Sequence, residues 1–344
     1  MWLKSKLIIV ILVLIGFGAG AAGFMYIGNL MQPHQQQIIK EEEPQVEVPP
    51  TPKTDNMEVD EEWLELPRER NLVVIIDNDV RTRPQAGLAQ GDLVYEIPIE
   101  GGTTRFMAIF SRFNADLIGP IRSARDYTIE IAQEYDPVFV HAGGSPQAFA
   151  LFDKIGNLNG LEGGVDRAFW RTNGIEPPFN LFSDSKTLRR VSKQEGFREE
   201  GKLHDFKYLE PGQEFSDSKA EKITIDYGHS DYRGEFLYDK GLQKYLRFTG
   251  GVKHWDRNGE QLKVKNIILQ KVNTKIIDSE GRLSLEIFGR GMAVFFSEGQ
   301  VVQGYWEKKA GGVTKYYKAE GEEVALNEGN TWICIIPHNV SVVY

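Results

Sequence analysis

Apolar runs of strand length occur along the first half of the chain. Residues 72–76, 106–110 and 137–141 are such runs, and each is expected to form a buried strand. Between the last two, residues 123–135 carry apolar side chains at helical spacing, and Ser123 is placed to cap this helix. The order strand, helix, strand predicts a right-handed βαβ unit in which strands 106–110 and 137–141 are parallel.

A further strand is indicated before this unit. Residues 93–99 alternate between apolar and polar side chains, which is typical of a strand with one buried face. Pro98 has no amide proton, so it indicates a strand at the edge of its sheet. Gly101 and Gly102 follow, and they are suited to a two-residue turn into the next strand.

The expected turn would place Glu100 opposite Thr103. In that register Arg105 lies diagonally across from both Glu96 and Glu100, which predicts a cluster of ion pairs. Four strand residues separate the two glutamates by about 13 Å. That distance is too long for the pair of carboxylates of a glycosidase, which are about 5–9.5 Å apart.

The pattern changes near residue 222 to short strands separated by glycine and turn residues, with little helical periodicity. Residues 238–241, Tyr-Asp-Lys-Gly, are typical of a hairpin turn. We therefore predict an α/β domain at residues 63–215, followed by a β-rich domain at residues 216–344.

Lys4 and Lys6 precede residues 7–31, a run without a charged side chain. Such a run is about 37 Å long as a helix, which is enough to span the hydrocarbon core of a bilayer. The positive-inside rule then predicts a transmembrane anchor at residues 1–31, with the rest of the chain outside the cytoplasm. Residues 32–62 are rich in Gln, Glu and Pro and are expected to form a disordered stalk.

A cleaved signal peptide is the alternative interpretation of the N-terminus. Residues 7–18 would be its apolar core, and residues 19–21, Ala-Gly-Ala, resemble a cleavage site. The apolar character continues through residues 24–31, which favours an uncleaved anchor. We therefore expect a single-pass protein of the cell membrane with an extracytoplasmic folded body, and the membrane is its first expected partner.

The 344-residue chain has a formal net charge of −9. This charge argues against broad nucleic-acid binding, which requires a basic surface, but it allows a local cationic pocket. The single cysteine, Cys334, lies within an apolar run, so an intrachain disulfide is excluded and a buried thiol is expected. The sequence contains no convincing nucleotide-binding or zinc-binding motif, and we expect no cofactor and no metal.

Arg122 and Arg125 lie at the start of the predicted helix. Positive charge is disfavoured at a helix N-terminus by roughly 0.3–1 kcal/mol for each residue. A bound anion would reverse this cost, because backbone N–H groups and guanidinium groups would converge on it. We therefore predict an anion-binding site, with Arg105 as a third ligand-binding residue. Surface ion pairs of the arginines with Asp116, Asp126 or Glu130 are the alternative.

His141 ends a predicted strand and precedes a glycine turn, a position at which open sheets commonly bind ligands. His141 and Glu100 are therefore the acid–base candidates of an enzyme hypothesis. Ser145 is expected to cap the next helix, and it lies close enough to the arginines to be a candidate ligand-binding residue. Arg171 and Asn180 lie among aromatic residues that could line a pocket for a sugar or an anion.

Six segments resemble the YerB-like family of bacterial envelope lipoproteins. They are V-Y-E-I-P-I-E-G-G-T-T-R-F (94–106), I-G-P-I-R-S-A-R (118–125), H-A-G-G-S (141–145), W-R-x-x-x-x-x-P-P-F-N-L-F (170–182), Y-L-R-F-x-G-G-V-K-H-W-D (245–256) and N-x-G-N-T-W-I-C-I-I-P (327–337). The resemblance covers residues 71–337. It implies two domains and a location at the bacterial envelope, and it supplies no chemistry.

Two departures from the family accompany the resemblance. Family members usually carry a lipid-modified cysteine, whereas this chain has the uncharged run at residues 7–31. The family's P-H-N-L-Y is P-F-N-L-F here, at residues 178–182. Phe179 stands where the family has histidine, which argues against a catalytic role for this loop.

We therefore predict a membrane-anchored extracytoplasmic protein that binds an anionic component of the cell envelope. The competing hypotheses are a hydrolase or transferase acting on cell-wall glycan or peptide, and a structural partner of another envelope protein.

Overall fold

A computed structural model describes residues 68–201 and 206–344. The predicted anchor at residues 1–31 and stalk at residues 32–62 lie outside these ranges. Within them, every helix is too short or too polar to cross a membrane.

In the described part of the chain, α-helices occur only before residue 216, in the first segment, whereas strands occur throughout. The helices are α1 (Asp126–Ala132), α2 (Pro146–Phe149) and α3 (Ser185–Gln194). The strands up to residue 215 are β1 (Leu72–Asp77), β2 (Leu93–Pro98), β3 (Thr104–Phe110), β4 (Val138–His141), β5 (Asn157–Asn159), β6 (Trp170–Arg171), β7 (Leu181–Phe182) and β8 (Lys207–Tyr208).

The second segment is built of strands. They are β9 (Lys222–Asp226), β10 (Gly234–Asp239), β11 (Lys244–Thr249), β12 (Val252–Lys253), β13 (Lys263–Val264), β14 (Asn266–Val272), β15 (Thr274–Ile276), β16 (Leu283–Leu285), β17 (Gly289–Ser297), β18 (Gln300–Lys308), β19 (Lys315–Lys318), β20 (Ala325–Leu326), β21 (Thr331–Pro337) and β22 (Ser341–Val343). The predicted hairpin turn at residues 238–241 begins at the end of β10 and precedes β11, its antiparallel partner. The chain is therefore strand-rich and has two parts that differ in helix content, as predicted.

Strands from both parts form one ten-stranded sheet, in the order β19-β18-β17-β14-β21-β2-β3-β1-β4-β5. β21, near the end of the chain, pairs in parallel with both β2 and β14. The predicted boundary between residues 215 and 216 therefore does not separate two sheets. Pairing between strands so distant in sequence leaves no local periodicity, so the pattern along the chain could not indicate it.

Apolar clusters cover both faces of this sheet. One cluster contains Val74 and Trp332 of the sheet and Phe236 of a second sheet, β12-β11-β10-β9-β22. The cluster on the opposite face contains Val73 and Ile129, so α1 packs there. All six residues of β1 are buried, because successive side chains of a strand enter alternate clusters.

The neighbours of β1 differ from those predicted. β1 lies between β3 and β4, antiparallel to β3 and parallel to β4. The predicted parallel pairing of strands 106–110 and 137–141 is therefore wrong, since those strands are antiparallel and do not pair. The edge position predicted from Pro98 is also wrong, because β2 lies between β3 and β21. Pro98 is accommodated at the end of β2, beyond the residues that pair with β21.

The turn between β2 and β3 is one residue longer than predicted. A short 3-10 turn, Glu100–Gly102, connects the two strands. The amide of Ile99 donates to the carbonyl oxygen of Thr103 at 2.9 Å. Gly101 and Gly102 have φ angles of 73° and 71°, in the left-handed region that favours glycine.

The longer turn shifts the register of this hairpin by one residue. Arg105 lies opposite Ile97, and Glu96 lies opposite Phe106. Because a one-residue shift exchanges the faces of a strand, Arg105 and Glu96 point to opposite sides of the sheet. The predicted ion pair between Arg105 and Glu96 is therefore wrong.

Candidate functional site

The segment of residues 121–125 runs past the carboxyl ends of β1 and β4. The amide of Arg122 donates to Ile75 O at 2.9 Å, and Arg122 O accepts a hydrogen bond from the amide of Ala142 at 2.9 Å. The amide of Ala124 donates to Gly143 O at 3.0 Å. The arginine segment and the H-A-G-G-S loop at residues 141–145 therefore meet, as the sequence predicts.

Ser123 joins the arginine of β3 to this segment. Arg105 Nη1 donates to the carbonyl oxygen of Ser123 at 2.6 Å and lies 3.2 Å from its hydroxyl oxygen. Arg125 Nη1 lies 3.4 Å from the same hydroxyl oxygen. All three predicted arginines therefore lie around one short segment. We call Arg105, Arg122 and Arg125, with the residues that contact them, the arginine site.

Arg122 is held between a carboxylate and an aromatic ring. Its Nε lies 2.9 Å from Asp77 Oδ2, and its side chain is 21% exposed. Its guanidinium carbon lies 5.1 Å from the centre of the Phe179 ring, and that of Arg81 lies 4.2 Å from the same centre. Two cations therefore share the ring of Phe179, the residue at the position of the family's histidine.

Arg125 forms an ion pair with Glu100, whose carboxylate is one-third exposed. Burial alone would raise the pKa of Glu100, but a backbone hydrogen bond and the charge of Arg125 lower it further than burial raises it. Glu100 is therefore ionised at neutral pH. A general acid needs a raised pKa, so the geometry argues against that role for Glu100.

Arg105 differs from the other two arginines. Among the described residues, no carboxylate lies within ion-pair distance of its guanidinium group, and its buried Nε has no hydrogen-bond acceptor. Burial and, to a smaller extent, the neighbouring charge of Arg125 lower the pKa of Arg105 to about 10, against the attraction of Asp77. The site therefore contains three guanidinium groups and two carboxylates.

His141 ends β4 but is buried. Its Nδ1 lies 2.9 Å from Gly143 O and its Nε2 lies 3.1 Å from Asn157 Oδ1, while its ring stacks on that of Phe152. Burial lowers the pKa of His141, and these two hydrogen bonds oppose the shift. Because both ring nitrogens have partners and the ring is fully buried, the geometry argues against the predicted acid–base role. His141 holds the loop that follows it.

The helix of the predicted βαβ unit starts later than expected. Ser123 is not its cap, because α1 begins at Asp126, and the hydroxyl of Thr128 accepts a hydrogen bond from the amide of Arg125 at 3.1 Å. Ser145 does cap α2, and its hydroxyl accepts from the amide of Ala148 at 3.2 Å. Ser145 therefore has the capping role that its position indicated, and its ligand-binding role stays a prediction.

Arg171 and Asn180 contact each other in a short hairpin beside the arginine site. Arg171 is exposed, and its Nη1 donates to Asn180 Oδ1 at 2.7 Å, while Asn180 is buried. The carbonyl oxygen of Leu181 accepts from the amide of Ile121 at 2.7 Å, so this hairpin adjoins the arginine segment. The two side chains satisfy each other and support the loop that carries Phe179.

Three residues of the arginine site were not predicted from the sequence: Asp77, Ser123 and Phe179. Asp77 had a usable signal, because it directly follows the apolar run of β1, where open sheets present ligand-binding groups. The contacts of Ser123 and Phe179 depend on the tertiary packing. Among the described residues, no three His, Cys, Asp or Glu side chains lie close enough together to hold a metal ion.

Comparison with known proteins agrees with this organisation. The family model "Protein of unknown function (DUF3048) N-terminal domain" matches residues 56–198, and the corresponding C-terminal domain matches residues 223–333. The chain is 30% identical over 278 residues to "Putative lipoprotein YerB" of Bacillus subtilis (strain 168), covering 78% of this chain and 81% of that protein. The chain belongs to the YerB-like family. The crystal structure of YerB from Bacillus subtilis matches it with a TM-score of 0.72 at 29% identity, covering 80% of this chain and 94% of that chain. The ten-stranded sheet is therefore built on the fold of a YerB-like protein.

Proposed function

We propose that this YerB-like protein is associated with the cell envelope, where it binds an anionic component through Arg105, Arg122 and Arg125. Its relative in Bacillus subtilis is described as a lipoprotein, which supports a location at the envelope. The two N-terminal lysines and the uncharged run at residues 7–31 support a membrane anchor that replaces a lipid.

The observation that carries the proposal is the excess positive charge of the arginine site. Arg105 is buried, and its lowered pKa reflects the cost of holding its charge away from water and near Arg125. An anion bound beside Arg105 and Arg122 would reduce this cost. The partly exposed guanidinium group of Arg122 provides a surface at which such an anion can be reached.

Removing one arginine distinguishes a ligand-binding function from a structural one, because the first predicts a loss of affinity for the anion and the second only a loss of stability. Arg122→Ala leaves the carboxylate of Asp77, whose side chain is only 4% exposed, without its cation, so it should lower the free energy of unfolding by more than about 1 kcal/mol, the contribution of a surface ion pair. It also removes a charge-assisted hydrogen bond to the ligand, which is worth roughly 1.5–3 kcal/mol. We therefore expect weaker anion binding together with a lower melting temperature, and it is the affinity that decides between the two functions.

The full chain in a non-ionic detergent provides the test. Binding of inorganic phosphate is measured by calorimetry, and unfolding by thermal melting, for the wild type, Arg122→Ala and the control Lys186→Ala. Lys186 is an exposed cation on α3, so it controls for the loss of one charge. The proposal requires an affinity that falls only in Arg122→Ala. A sharply lower melting temperature with unchanged phosphate binding would instead mean that the arginines serve the fold.

The membrane anchor has its own test. Protease added to intact protoplasts should remove the folded body and leave a small fragment in the membrane, because the lysines place the N-terminus inside. The double variant Lys4→Gln/Lys6→Gln removes both positive charges that precede the uncharged run, and it should weaken this orientation. Complete protection of the body in the wild type would contradict the assignment.

A further inference from the structure

The second sheet leaves part of the ten-stranded sheet uncovered. β22 is the edge strand of the second sheet, and the face of β14, β17 and β18 continues beyond it. A groove of about 630 Å³ lies at this step, with Val342 and Tyr344 among its lining residues. This volume lies within the range of about 300–1,000 Å³ that is typical of small-molecule sites.

The floor of the groove is apolar. Leu269 pairs with Val294 across β14 and β17, and Met292 pairs with Tyr305 across β17 and β18. Alternate residues of a strand share a face, so these side chains lie on the same side of the sheet. Met292 is 58% exposed, so the fold leaves this apolar surface open to solvent.

The sides of the groove are fixed by contacts within the chain. The guanidinium carbon of Arg290 lies 3.5 Å from the ring centre of Tyr305, and the ring of Tyr305 stacks on that of Tyr317. On the other side, Tyr344 accepts a hydrogen bond from Gln303 at 2.8 Å. The walls are therefore already positioned before a ligand binds.

The charged side chains that line the groove are all positive. Lys271 and Arg290 line it, and no acidic side chain does. Among the described residues, neither cation has a carboxylate within ion-pair distance, in contrast to Arg122 and Arg125 of the arginine site. Glu307 is the cross-strand neighbour of Arg290, but its carboxylate lies by Lys309 instead, so an anionic group would meet two cations without ion pairs beside an apolar floor.

We propose that this groove binds an amphiphilic anion, a molecule with an alkyl chain and a phosphate-like headgroup. The chain lies along Leu269, Met292 and Val294, and the headgroup contacts Lys271 and Arg290. The apolar floor supplies affinity through burial of the chain, and the cations select a negative headgroup over a neutral one. The site is separate from the arginine site, since it is built from strands of the second segment.

The test uses photocrosslinking of the full chain in a non-ionic detergent. The probes are a twelve-carbon alkyl phosphate that carries a diazirine and the corresponding uncharged alcohol. Peptide mass spectrometry locates the crosslinks, and labelling of the groove is normalised to that of the rest of the chain. The variants are Lys271→Ala/Arg290→Ala and, as a control of equal charge, Lys186→Ala/Arg190→Ala on α3.

The phosphate probe should label Met292, Tyr305 or Tyr344 in the wild type and in the control variant. In Lys271→Ala/Arg290→Ala, labelling by the phosphate probe should fall by about tenfold, which corresponds to the loss of one or two charge-assisted contacts. It should then equal the labelling by the alcohol probe. Equal labelling by the two probes, or labelling unaffected by the loss of the two cations, would overturn the proposal. The proposal is also overturned if labelling of the groove falls as protein concentration rises and crosslinks between two chains appear there instead. The groove would then bind a second copy of this chain.

Discussion

At the scale of single residues, the three arginines of the arginine site have two kinds of partner. Arg122 and Arg125 have carboxylates, whereas Arg105 has the carbonyl and hydroxyl of Ser123. A neutral acceptor stabilises a guanidinium group less than a carboxylate does, so burial leaves Arg105 with a lowered pKa. This residual cost supports the proposal that the site binds an anion.

Asp92 is the residue whose titration should be visible near neutral pH. It is buried, and its carboxylate accepts hydrogen bonds from the amides of Ser111 at 2.6 Å and Arg112 at 3.0 Å. Burial raises the pKa of Asp92 to about 6, against the opposing effect of these hydrogen bonds. The folded state therefore binds a proton between about pH 4 and pH 6 that the unfolded state releases.

The free energy of unfolding of the wild type should include a contribution from Asp92 that decreases as pH rises through this window. The reason is that the ionised carboxylate is disfavoured only in the folded state. Asp92→Asn removes this contribution, which is up to about 3 kcal/mol. Urea unfolding of the wild type and variant at pH 4, 5, 6 and 7 measures it as the change in their difference. Parallel stability curves would show that the carboxyl group has an ordinary pKa.

At the scale of elements, helix ends are set by local hydrogen bonds that compete for the same residues. Ser123 could have capped a helix, but its hydroxyl lies against two guanidinium groups. The first turn of α1 is closed instead by the hydroxyl of Thr128, which accepts from the amide of Arg125. Shifting the helix start by two residues brings Arg125 to the N-cap position, where its side chain extends towards Glu100.

Substitution of Ser145 distinguishes a capping role of this residue from a ligand-binding role. Ser145→Ala removes the oxygen that accepts the amide of Ala148, and the loss of an N-cap costs about 0.5–2 kcal/mol. We expect lower stability by urea unfolding and unchanged phosphate affinity by calorimetry. Ser145→Asp is the matched variant, because it keeps a capping oxygen and should recover most of the stability. Lost phosphate binding at full stability in Ser145→Ala would return Ser145 to the ligand-binding residues.

At the scale of the whole molecule, buried ion pairs connect the two parts of the chain. Glu96 of β2 and Arg247 of β11 are fully buried and 2.6 Å apart. Arg247 lies against the rings of Phe236 and Trp332, and a side chain at position 234 would collide with it, so Gly234 provides its space. The register of β2 decides this contact, since it turns Glu96 towards the second sheet.

Removing one member of this pair should be more harmful than removing both. Arg247→Met leaves a buried carboxylate without its cation, which costs about 3–5 kcal/mol, whereas Glu96→Gln/Arg247→Met leaves no charge behind. The two variants are compared by urea unfolding. Arg233→Met, which removes a half-exposed cation from the residue just before β10, is the control and should cost less than about 1 kcal/mol. Equal losses in the single and double variants would mean that packing of Arg247, rather than its charge, matters.

The sequence by itself determined the positions of several elements and the three arginines of the arginine site. β1, β3 and β4 were predicted from apolar runs, because burial on both faces requires continuous apolar sequence. The meeting of the arginines with the loop at residues 141–145 was predicted from their place at the ends of neighbouring elements. These properties depend on local pattern and chain order, which a sequence records directly.

Only the tertiary structure decided which strands are neighbours and which charges are paired. One extra residue in the turn at Glu100–Gly102 placed Arg105 and Glu96 on opposite faces of the sheet. The pairing of β21 with β2 joined both segments in one sheet. The charges followed from these choices: Glu96 meets Arg247, and Arg105 has no carboxylate beside it in the described part of the chain. The physical reason is that pairing energies arise between residues distant in sequence, so no local pattern specifies them.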